Sequence, residues 1–399
     1  MSLNAKKEIS VLPATKFIAA CCRWPHTLAS ETAVVLAANA TTDWQEVRQA
    51  ATRHRVIPLV HQAIKDLEEV PAEFREWAKQ RAQALAFHSM QMTNEAIKID
   101  RAFKDAGLRP LHFKGPVLAQ IAFGSVALKY SHDLDIFVSE SGARTAIAIL
   151  EGKGYFPLGQ DRPLSKRQID ALILNSKDMG FVGPAGILIE IHWRLTNINS
   201  LLNGLENNLH RQAVTVAGSV SFDTFGTEQM LVYLVFHGAV HHWKRLKWLA
   251  DISAFLEQIP ANEREKIIAK VQEGPAADAL AQALHLCDTL FETSYRPHLS
   301  RNAQKLSEYS LTRIDEDEIV AKRPLAKLGF FTEVIPTRHL YPSVWAAIWA
   351  FKSHLICQGD VLAVPLPRYL NGIYPIIRLP SFLLRRLRGS RQGRAPNTR

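Results

Sequence analysis

The sequence predicts an α+β protein in which a small mixed sheet lies between helical regions. Two stretches, up to about residue 105 and from about residue 227, have the apolar spacing of amphipathic helices. Between them lie short, largely apolar or alternating runs, 133–138 and 187–192, which are typical of strands. A chain of 399 residues is long enough for two or three domains.

The N-terminal region, residues 1–105, is expected to be helical throughout. Helical apolar spacing runs through 28–40, 43–65 and 72–105. Asp43 is a suitable N-cap, Pro58 and Pro71 mark breaks or helix starts, and Gly107 is placed to end the long third helix.

The α/β core is expected over residues 106–225. Strands and helices should follow one another, with a turn-rich linker at 183–186 joining the last two strands. The predicted strands are 108–113, 133–138, 180–182 and 187–192, and the predicted helices are 116–123 and 141–153.

A second helical domain is expected over 226–335, with helical spacing in 227–256 and 261–293. The final segment, 336–399, has helical pieces broken by prolines and ends in a basic tail. Seven arginines and no acidic residue lie in 376–399, so this tail supplies most of the formal net charge of +10. The tail could contact an anionic membrane surface, nucleic acid or a partner, or be a solvated chain end.

Cysteine usage and hydropathy favour a cytoplasmic protein, with peripheral membrane attachment through the tail as an alternative. The four cysteines, at 21, 22, 287 and 357, include no CxxC pair and suggest reduced thiols. The sequence contains no run of 18 apolar residues and its N-terminus lacks the apolar core of a signal peptide.

Asp133 and Asp135 are the first candidates for chemistry. Residues i and i+2 of a strand point to the same side, so these carboxylates should be neighbours. Neighbouring carboxylates repel, and a hard divalent cation with oxygen ligands resolves the repulsion. The apolar residues 136–138 indicate a largely buried strand. The pair is therefore a candidate Mg²⁺ site, and two solvated aspartates on an edge strand are the alternative.

Glu190 is an acidic residue within the apolar run 187–192. A charge in such a strand needs a partner, and a third carboxylate beside Asp133 and Asp135 would complete a two-metal site. An outward-facing glutamate on a half-exposed strand is the alternative. His192, two residues further on, is a candidate for substrate or phosphate binding.

Lys114 and Gly115 form a predicted strand-to-helix turn. Backbone N–H groups at a helix start favour phosphate, glycine allows close approach and lysine adds a positive charge. Lys129, four residues before Asp133, could hold a nucleotide phosphate or simply pair with a carboxylate.

Together these residues resemble the bacterial family of uncharacterised nucleotidyltransferases, within the polymerase-β-like superfamily. The resemblance spans about 45–260 and is carried by Lys114-Gly115, Lys129, Asp133-Leu134-Asp135 and Glu190-Ile191-His192-Trp193, with further similarity at 55–59 and 237–251. Two departures concern phosphate binding. Relatives usually have arginine at the position of Lys129, and the superfamily usually has Gly-Gly or Gly-Ser at the phosphate turn. Gly124-Ser125 follows the predicted helix instead of opening it, so Gly115 is preferred.

The resemblance implies a nucleotidyltransferase core flanked by helical regions and a Mg²⁺- or Mn²⁺-dependent enzyme with an NTP donor. Asp133, Asp135 and Glu190 would bind the metal and catalyse, while Lys114, Gly115 and Lys129 would bind phosphate. The acceptor is an unidentified hydroxyl or phosphate, with peptide, glycan and RNA all open, and no specific DNA recognition is expected.

His237 and His241 are four residues apart and would share one helix face. With His242 they could suggest zinc, but the motif HExxH is absent. Packing, or contact with substrate phosphate, are the other interpretations. Lys244, Arg245 and Lys247 could line an anion-binding cleft or be a solvated face.

Three rival functions remain open. The first is a catalytically degenerate module that binds nucleotide or a partner. The second is a metal-dependent transferase with a sugar-nucleotide donor, and the third is a toxin–antitoxin nucleotidyltransferase that modifies RNA or protein.

Overall fold

The computed structural model describes residues 11–196, 208–316, 338–340, 356, 358–374 and 376–377. The predictions for Cys357, for most of 336–399 and for the basic tail from residue 378 onward fall outside the described residues. The proposed division of the chain at 105, 225 and 335 stays a prediction.

Five helices precede the sheet: α1 (Pro13–Cys21), α2 (Leu28–Asn39), α3 (Trp44–His54), α4 (Ile57–Ile64) and α5 (Ala72–Asp105). The Asp43 side chain accepts N–H bonds from Gln45 and Glu46, so the predicted cap is confirmed. The stretch 43–65 is two helices. Pro58 lies in the first turn of α4, where its missing N–H removes no helical hydrogen bond.

The α+β class is confirmed by a mixed five-stranded sheet with strand order β1-β2-β5-β4-β3. Its strands are β1 (Leu111–His112), β2 (Asp133–Phe137), β3 (Phe156–Pro157), β4 (Asp178–Val182) and β5 (Leu188–His192). Strands β2 and β5 are parallel, and the other pairs are antiparallel. Between the strands lie α6 (Gly115–Phe123), α7 (Ala143–Gly152) and α8 (Lys166–Asn175).

Alternation along β2, β4 and β5 gives this sheet one apolar and one polar face. Leu134, Ile136, Ile189, Ile191 and Phe181 are buried in one hydrophobic cluster, together with residues of α5, α7 and α8. The residues between them point to the other face, so the register that pairs Asp135 with Glu190 puts their carboxylates side by side.

A two-stranded hairpin, β6 (Arg211–Val216) and β7 (Val220–Phe225), follows the sheet and was not predicted from the sequence. The helices after it are α9 (Thr227–Val240), α10 (Leu246–Glu257), α11 (Ala261–Gln272), α12 (Ala277–Phe291), α13 (Arg301–Arg313) and α14 (Gln358–Ala363). A second hydrophobic cluster joins α1, α4, α9, α10 and α12. In the described part of the chain, no helix combines the length and the apolar character needed to cross a membrane.

The predicted helical stretch 227–256 is broken between α9 and α10. His242 and Trp243 have left-handed backbone conformations, with φ of 54° and 50°, and reverse the chain there. The Trp243 ring packs against Gly238, where a Cβ would come within 2.1 Å of it. This reversal places the last turn of α9 and the first turn of α10 beside each other, facing the polar side of the sheet.

Candidate active site

A cleft of about 540 Å³ lies between the polar face of the sheet, α9, α10 and the junction of α3 with α4. Both acidic and basic side chains line it. The acidic ones are Asp133, Asp135, Asp178, Glu190 and Asp251, and the basic ones are Arg55, Lys114, Lys129, Lys177, Arg245 and Lys247. The volume of the cleft is within the usual range for a small-molecule site.

Asp135, Glu190 and His192 form a compact group of potential metal ligands on β2 and β5, with one ligand atom each within 4.8 Å of the others. His192 Nε2 lies 3.0 Å from Asp135 Oδ1 and 3.5 Å from Glu190 Oε2. Asp135 is 3% exposed, and its Oδ2 has no hydrogen-bond partner among the described residues. An unsatisfied buried carboxylate oxygen is costly, and a divalent cation would satisfy it. The residues therefore fit a metal ion.

Asp133 lies two residues before Asp135 on the same face of β2 and lines the cleft. It is partly exposed and lies outside the compact three-residue group. Burial, followed by the charges of Asp135 and Glu190, raises the pKa of Asp133. The repulsion expected from the sequence is therefore present, and a cation at this position would relieve it.

Lys114 Nζ lies 2.8 Å from Asp135 Oδ1, at the centre of the acidic group. Burial disfavours the charged carboxylate, but Lys114 and the His192 hydrogen bond together hold the pKa of Asp135 well below its usual range. Lys114 immediately precedes α6, and Gly115 opens that helix with a φ of 57°. Gly124 closes the same helix, so Gly115 opens α6 as expected, and its role as the glycine of a phosphate-binding turn stays a prediction.

Lys129 pairs with a carboxylate that the sequence did not suggest as its partner. The side chain is buried, and its Nζ lies 2.5 Å from Oδ2 of Asp251 on α10. This ion pair connects the segment before β2 to the C-terminal helices. Lys129 also lines the cleft, and its role toward phosphate stays a prediction.

His237 and His241 line the cleft within a cluster of aromatic rings. Tyr233 stacks on His237 at 5.7 Å, and Trp248 stacks on His241 at 5.0 Å. Burial, followed by nearby Lys114, lowers the pKa of both, to about 3 for His241. Neither belongs to a cluster of three potential metal ligands among the described residues, so ring packing describes them better than zinc binding.

Asp178 and Lys177, at the start of β4, were missed because the predicted strand began at Gly180. Asp178 pairs with His192 across the sheet, and its Oδ2 lies 3.6 Å from His192 Nδ1. Lys177 forms a close ion pair with Asp178. Asp178 is two residues before Gly180, so a strand that began at Asp178 would have placed its side chain on the same, polar face. This alternation is the sequence pattern that could have identified it.

Gln358, at the start of α14, connects the end of the chain to this site. Its Nε2 donates to the Asp178 carbonyl oxygen and to Asp178 Oδ1, each at 2.8 Å, and to Ser176 Oγ at 2.7 Å. Gln358 and Asp178 are 180 residues apart in the sequence, so no local pattern predicts this contact.

Three comparisons with known proteins bear on identity. No curated protein matches the chain. A solved structure of an antigenic nucleotidyltransferase-like protein from Paracoccidioides brasiliensis is 11% identical and covers 53% of this chain and 96% of its own, with a TM-score of 0.27. A likeness that low carries no argument about fold or activity.

The sequence model of a family described as "Uncharacterised nucleotidyltransferase" matches residues 40–292, which include the sheet and every cleft residue described above. This match contains the whole span of the resemblance noted from the motifs. The chain belongs to the uncharacterised nucleotidyltransferase family.

Proposed function

We propose that this protein is a metal-dependent nucleotidyltransferase of the polymerase-β-like type, which moves a nucleoside monophosphate from an NTP to a hydroxyl or phosphate acceptor. The observation that carries the proposal is the pairing of Asp135 with Glu190 on adjacent parallel strands, beside His192 and with an unsatisfied carboxylate oxygen. Family membership supports the reaction class.

Asp133, Asp135 and Glu190 would hold the metal, with His192 as a nitrogen ligand. Carboxylates favour Mg²⁺ or Mn²⁺, and an imidazole ligand is compatible with Mn²⁺. When bound, such a cation neutralises charge on the transferring phosphoryl group and aligns it for in-line displacement.

The chain's own residues have distinct tasks in this proposal. Glu190, which is partly exposed in the cleft, accepts the proton of the acceptor hydroxyl. Lys114 and the N–H of Gly115, at the start of α6, bind the β- and γ-phosphates of the donor, which leave as pyrophosphate when the acceptor oxygen bonds to the α-phosphorus. Lys129 adds positive charge where negative charge develops, although its ion pair with Asp251 limits how far it can move.

The direct test incubates the protein with cell extract, Mg²⁺ or Mn²⁺, and a panel of NTPs labelled at the α- or the γ-phosphate. The proposal predicts that the added protein increases label in an acceptor from α-labelled NTP but not from γ-labelled NTP, and that Asp135→Asn loses this increase because a metal-binding carboxylate is removed. Asp223→Asn is the matched control, since Asp223 lies on β7 and pairs with Arg211 outside the cleft. Label transfer that persists in Asp135→Asn would refute the assignment.

One observation favours a second candidate, a catalytically degenerate module that binds nucleotide or a partner. Lys114 and His192 already neutralise Asp135 without a metal, as an internal cation does in a site that no longer binds one. Calorimetry with Mg·NTP, alongside the turnover assay, separates the two. Binding without any label transfer would favour the degenerate module. Adding sugar nucleotides to the donor panel tests the remaining alternative of a sugar-nucleotide donor.

A further inference from the structure

A second pocket, of about 410 Å³, adjoins the candidate active site, and we call it the side pocket. Leu158, Val182 and Leu188 line it on the side of the sheet, and residues of α5 and of the segment before β2 line it on the other. His132 lines both the side pocket and the cleft, so the two spaces are neighbours. The proposed function leaves the side pocket without a role.

The side pocket continues the polar face of the sheet. Val182 pairs with Leu188 between β4 and β5, and Leu188 pairs with Asp133 between β5 and β2. Residues paired between neighbouring strands point to the same face, so the two apolar residues share a face with the carboxylates. This face therefore changes from apolar to acidic between Leu188 and Glu190, which are about 6.4–6.8 Å apart along β5.

The apolar side chains of the side pocket are not part of the protein's core. Val182 and Leu188 are half-buried, and Leu158 is 55% exposed. Among the described residues, none of these three belongs to a hydrophobic cluster or packs against one. A Cβ at Gly180 would come within 3.3 Å of the Leu188 side chain and 3.6 Å of the Leu158 side chain, so the glycine gives both leucines room. Apolar surface that the core does not use is available to a ligand.

Aromatic rings line the other side of the side pocket. The His88 and Tyr130 rings are 6.1 Å apart, and the Arg55 guanidinium lies 5.7 Å from the centroid of the Tyr130 ring. Burial, followed by the charge of His132, lowers the pKa of His88, which keeps its imidazole neutral at pH 7. No described residue that lines the side pocket is an aspartate, glutamate, lysine or arginine. Such a lining favours a flat apolar group over a phosphate or a sugar.

The order of the strands places the side pocket across β2 from the predicted phosphate turn. Lys114 and Gly115 follow β1, which pairs with one edge of β2, and Leu188 lies on β5, which pairs with the other edge. In the proposed function pyrophosphate leaves toward the turn, and in-line displacement puts the acceptor oxygen on the opposite side of the α-phosphorus. The acceptor therefore approaches from the side of β5 and β4, where the side pocket lies.

We propose that the side pocket binds the group that carries the acceptor hydroxyl and that this group is an aromatic ring, so that the acceptor is an aromatic hydroxyl and not a sugar or a phosphate. A ring over Leu188, with its hydroxyl and a hydrogen bond of about 2.7 Å, spans the distance to Glu190. The hydroxyl oxygen bonds to the α-phosphorus, the bond from that phosphorus to the α,β-bridging oxygen breaks, pyrophosphate leaves and the hydroxyl proton passes to Glu190. The assignment to the acceptor rests on the proposed function, whereas the subsite itself rests on the geometry of the side pocket.

The first test is a nuclear magnetic resonance titration with 4-methylphenol, without metal or nucleotide. The wild type should bind it, and Leu158→Ser should bind it about tenfold or more weakly, the low end of what one apolar contact contributes in a hydrophobic pocket. Because Leu158 is largely exposed, this substitution should leave the fold intact. Val182→Thr, which keeps the β-branched shape but adds a hydroxyl to the lining, should also weaken binding.

Leu36→Ser is the matched control, since Leu36 is an exposed leucine of α2 outside the side pocket, and it should bind 4-methylphenol like the wild type. Equal binding by the wild type, Leu158→Ser and Val182→Thr would overturn the subsite. The absence of binding by the wild type would overturn it as well.

A second titration separates the acceptor from the base of the donor nucleotide. 4-Methylphenol is added to protein saturated with Mg²⁺ and an α,β-methylene NTP, which cannot transfer its nucleotidyl group. Undiminished binding supports an acceptor subsite, whereas one-for-one competition assigns the side pocket to the donor's base and overturns the acceptor assignment. Binding of 4-methylphenol with no binding of the NTP analogue would refute the proposed function and leave the subsite standing.

Discussion

Asp178 is expected to control metal affinity without touching the metal. Its Oδ2 lies 3.6 Å from His192 Nδ1, while His192 Nε2 faces Asp135 and Glu190. A carboxylate behind a ligating histidine fixes the tautomer that leaves Nε2 free to bind metal. His192 Nδ1 is buried and has no hydrogen bond to any described residue. A small shortening of its distance to Asp178 Oδ2 would give it a hydrogen-bond partner.

The expected loss in Asp178→Asn is 10- to 100-fold in Mn²⁺ affinity, or about 1.4 to 3 kcal/mol, as is typical when such a carboxylate is removed. The substitution also removes the ion-pair partner of Lys177, which lies beside the group of metal ligands. The uncompensated lysine would repel a bound cation and weaken Mn²⁺ binding further. Gln358→Leu should give a smaller loss, because it frees Asp178 without removing the carboxylate.

Calorimetric Mn²⁺ titration of Asp178→Asn, Gln358→Leu and the control Asp223→Asn measures these effects, with thermal unfolding recorded for each variant. An Mn²⁺ affinity in Asp178→Asn equal to that of the wild type, in a folded protein, would refute the reasoning. An equal loss in Asp223→Asn would show that the effect is not specific to the site.

Three predictions concern stability. Burial lowers the pKa of His54 to about 3, so the unfolded chain binds more protons than the folded one below about pH 6.5, and the free energy of unfolding falls by about 1.4 kcal/mol for each pH unit below that value. Denaturant unfolding at pH 7 and pH 5 should therefore show a smaller loss of stability in His54→Gln than in the wild type, and equal losses would contradict this. Gly238→Ala puts a methyl group 2.1 Å from the Trp243 ring and should lower the free energy of unfolding by about 1–3 kcal/mol or more. An unchanged midpoint of chemical denaturation would contradict this and show that the ring can move. Lys129→Met leaves the buried Asp251 carboxylate without its ion-pair partner and should lower the free energy of unfolding by about 3–5 kcal/mol. Most of this loss should be restored in the double variant with Asp251→Leu, and a double variant as unstable as the single one would contradict that account.

The polar face of the sheet was accessible to sequence reasoning because it depends on local periodicity. The alternation in 133–138 and the apolar run in 187–192 correctly predicted β2 and β5, and a period of two placed Asp133 beside Asp135. Parallel pairing of the two strands then made Glu190 the neighbour of Asp135.

The features that sequence reasoning missed depend on contacts between distant segments. Lys129 finds Asp251 across 122 residues, and Gln358 reaches Asp178 across 180. The chain reversal at Trp243 depends on the ring filling the space over Gly238, which helical periodicity does not encode. Arg55 was noted only as part of a resembling segment, because its position in the cleft depends on a contact between distant segments, in which the Leu246 N–H at the start of α10 donates to His54 Nδ1 at the end of α3.

The central claim is that Asp135, Glu190 and His192 together hold a divalent metal. Electron spin echo spectroscopy of the Mn²⁺-loaded protein tests it directly, because nitrogen coupling to the electron spin reports a histidine ligand. The account predicts one coupled histidine nitrogen in the wild type, lost in His192→Gln. It also predicts Mn²⁺ binding weakened in Asp135→Asn by more than the about 10- to 100-fold that is typical for losing an outer-shell partner. Tight Mn²⁺ binding without nitrogen coupling, or binding that Asp135→Asn leaves intact, would contradict it.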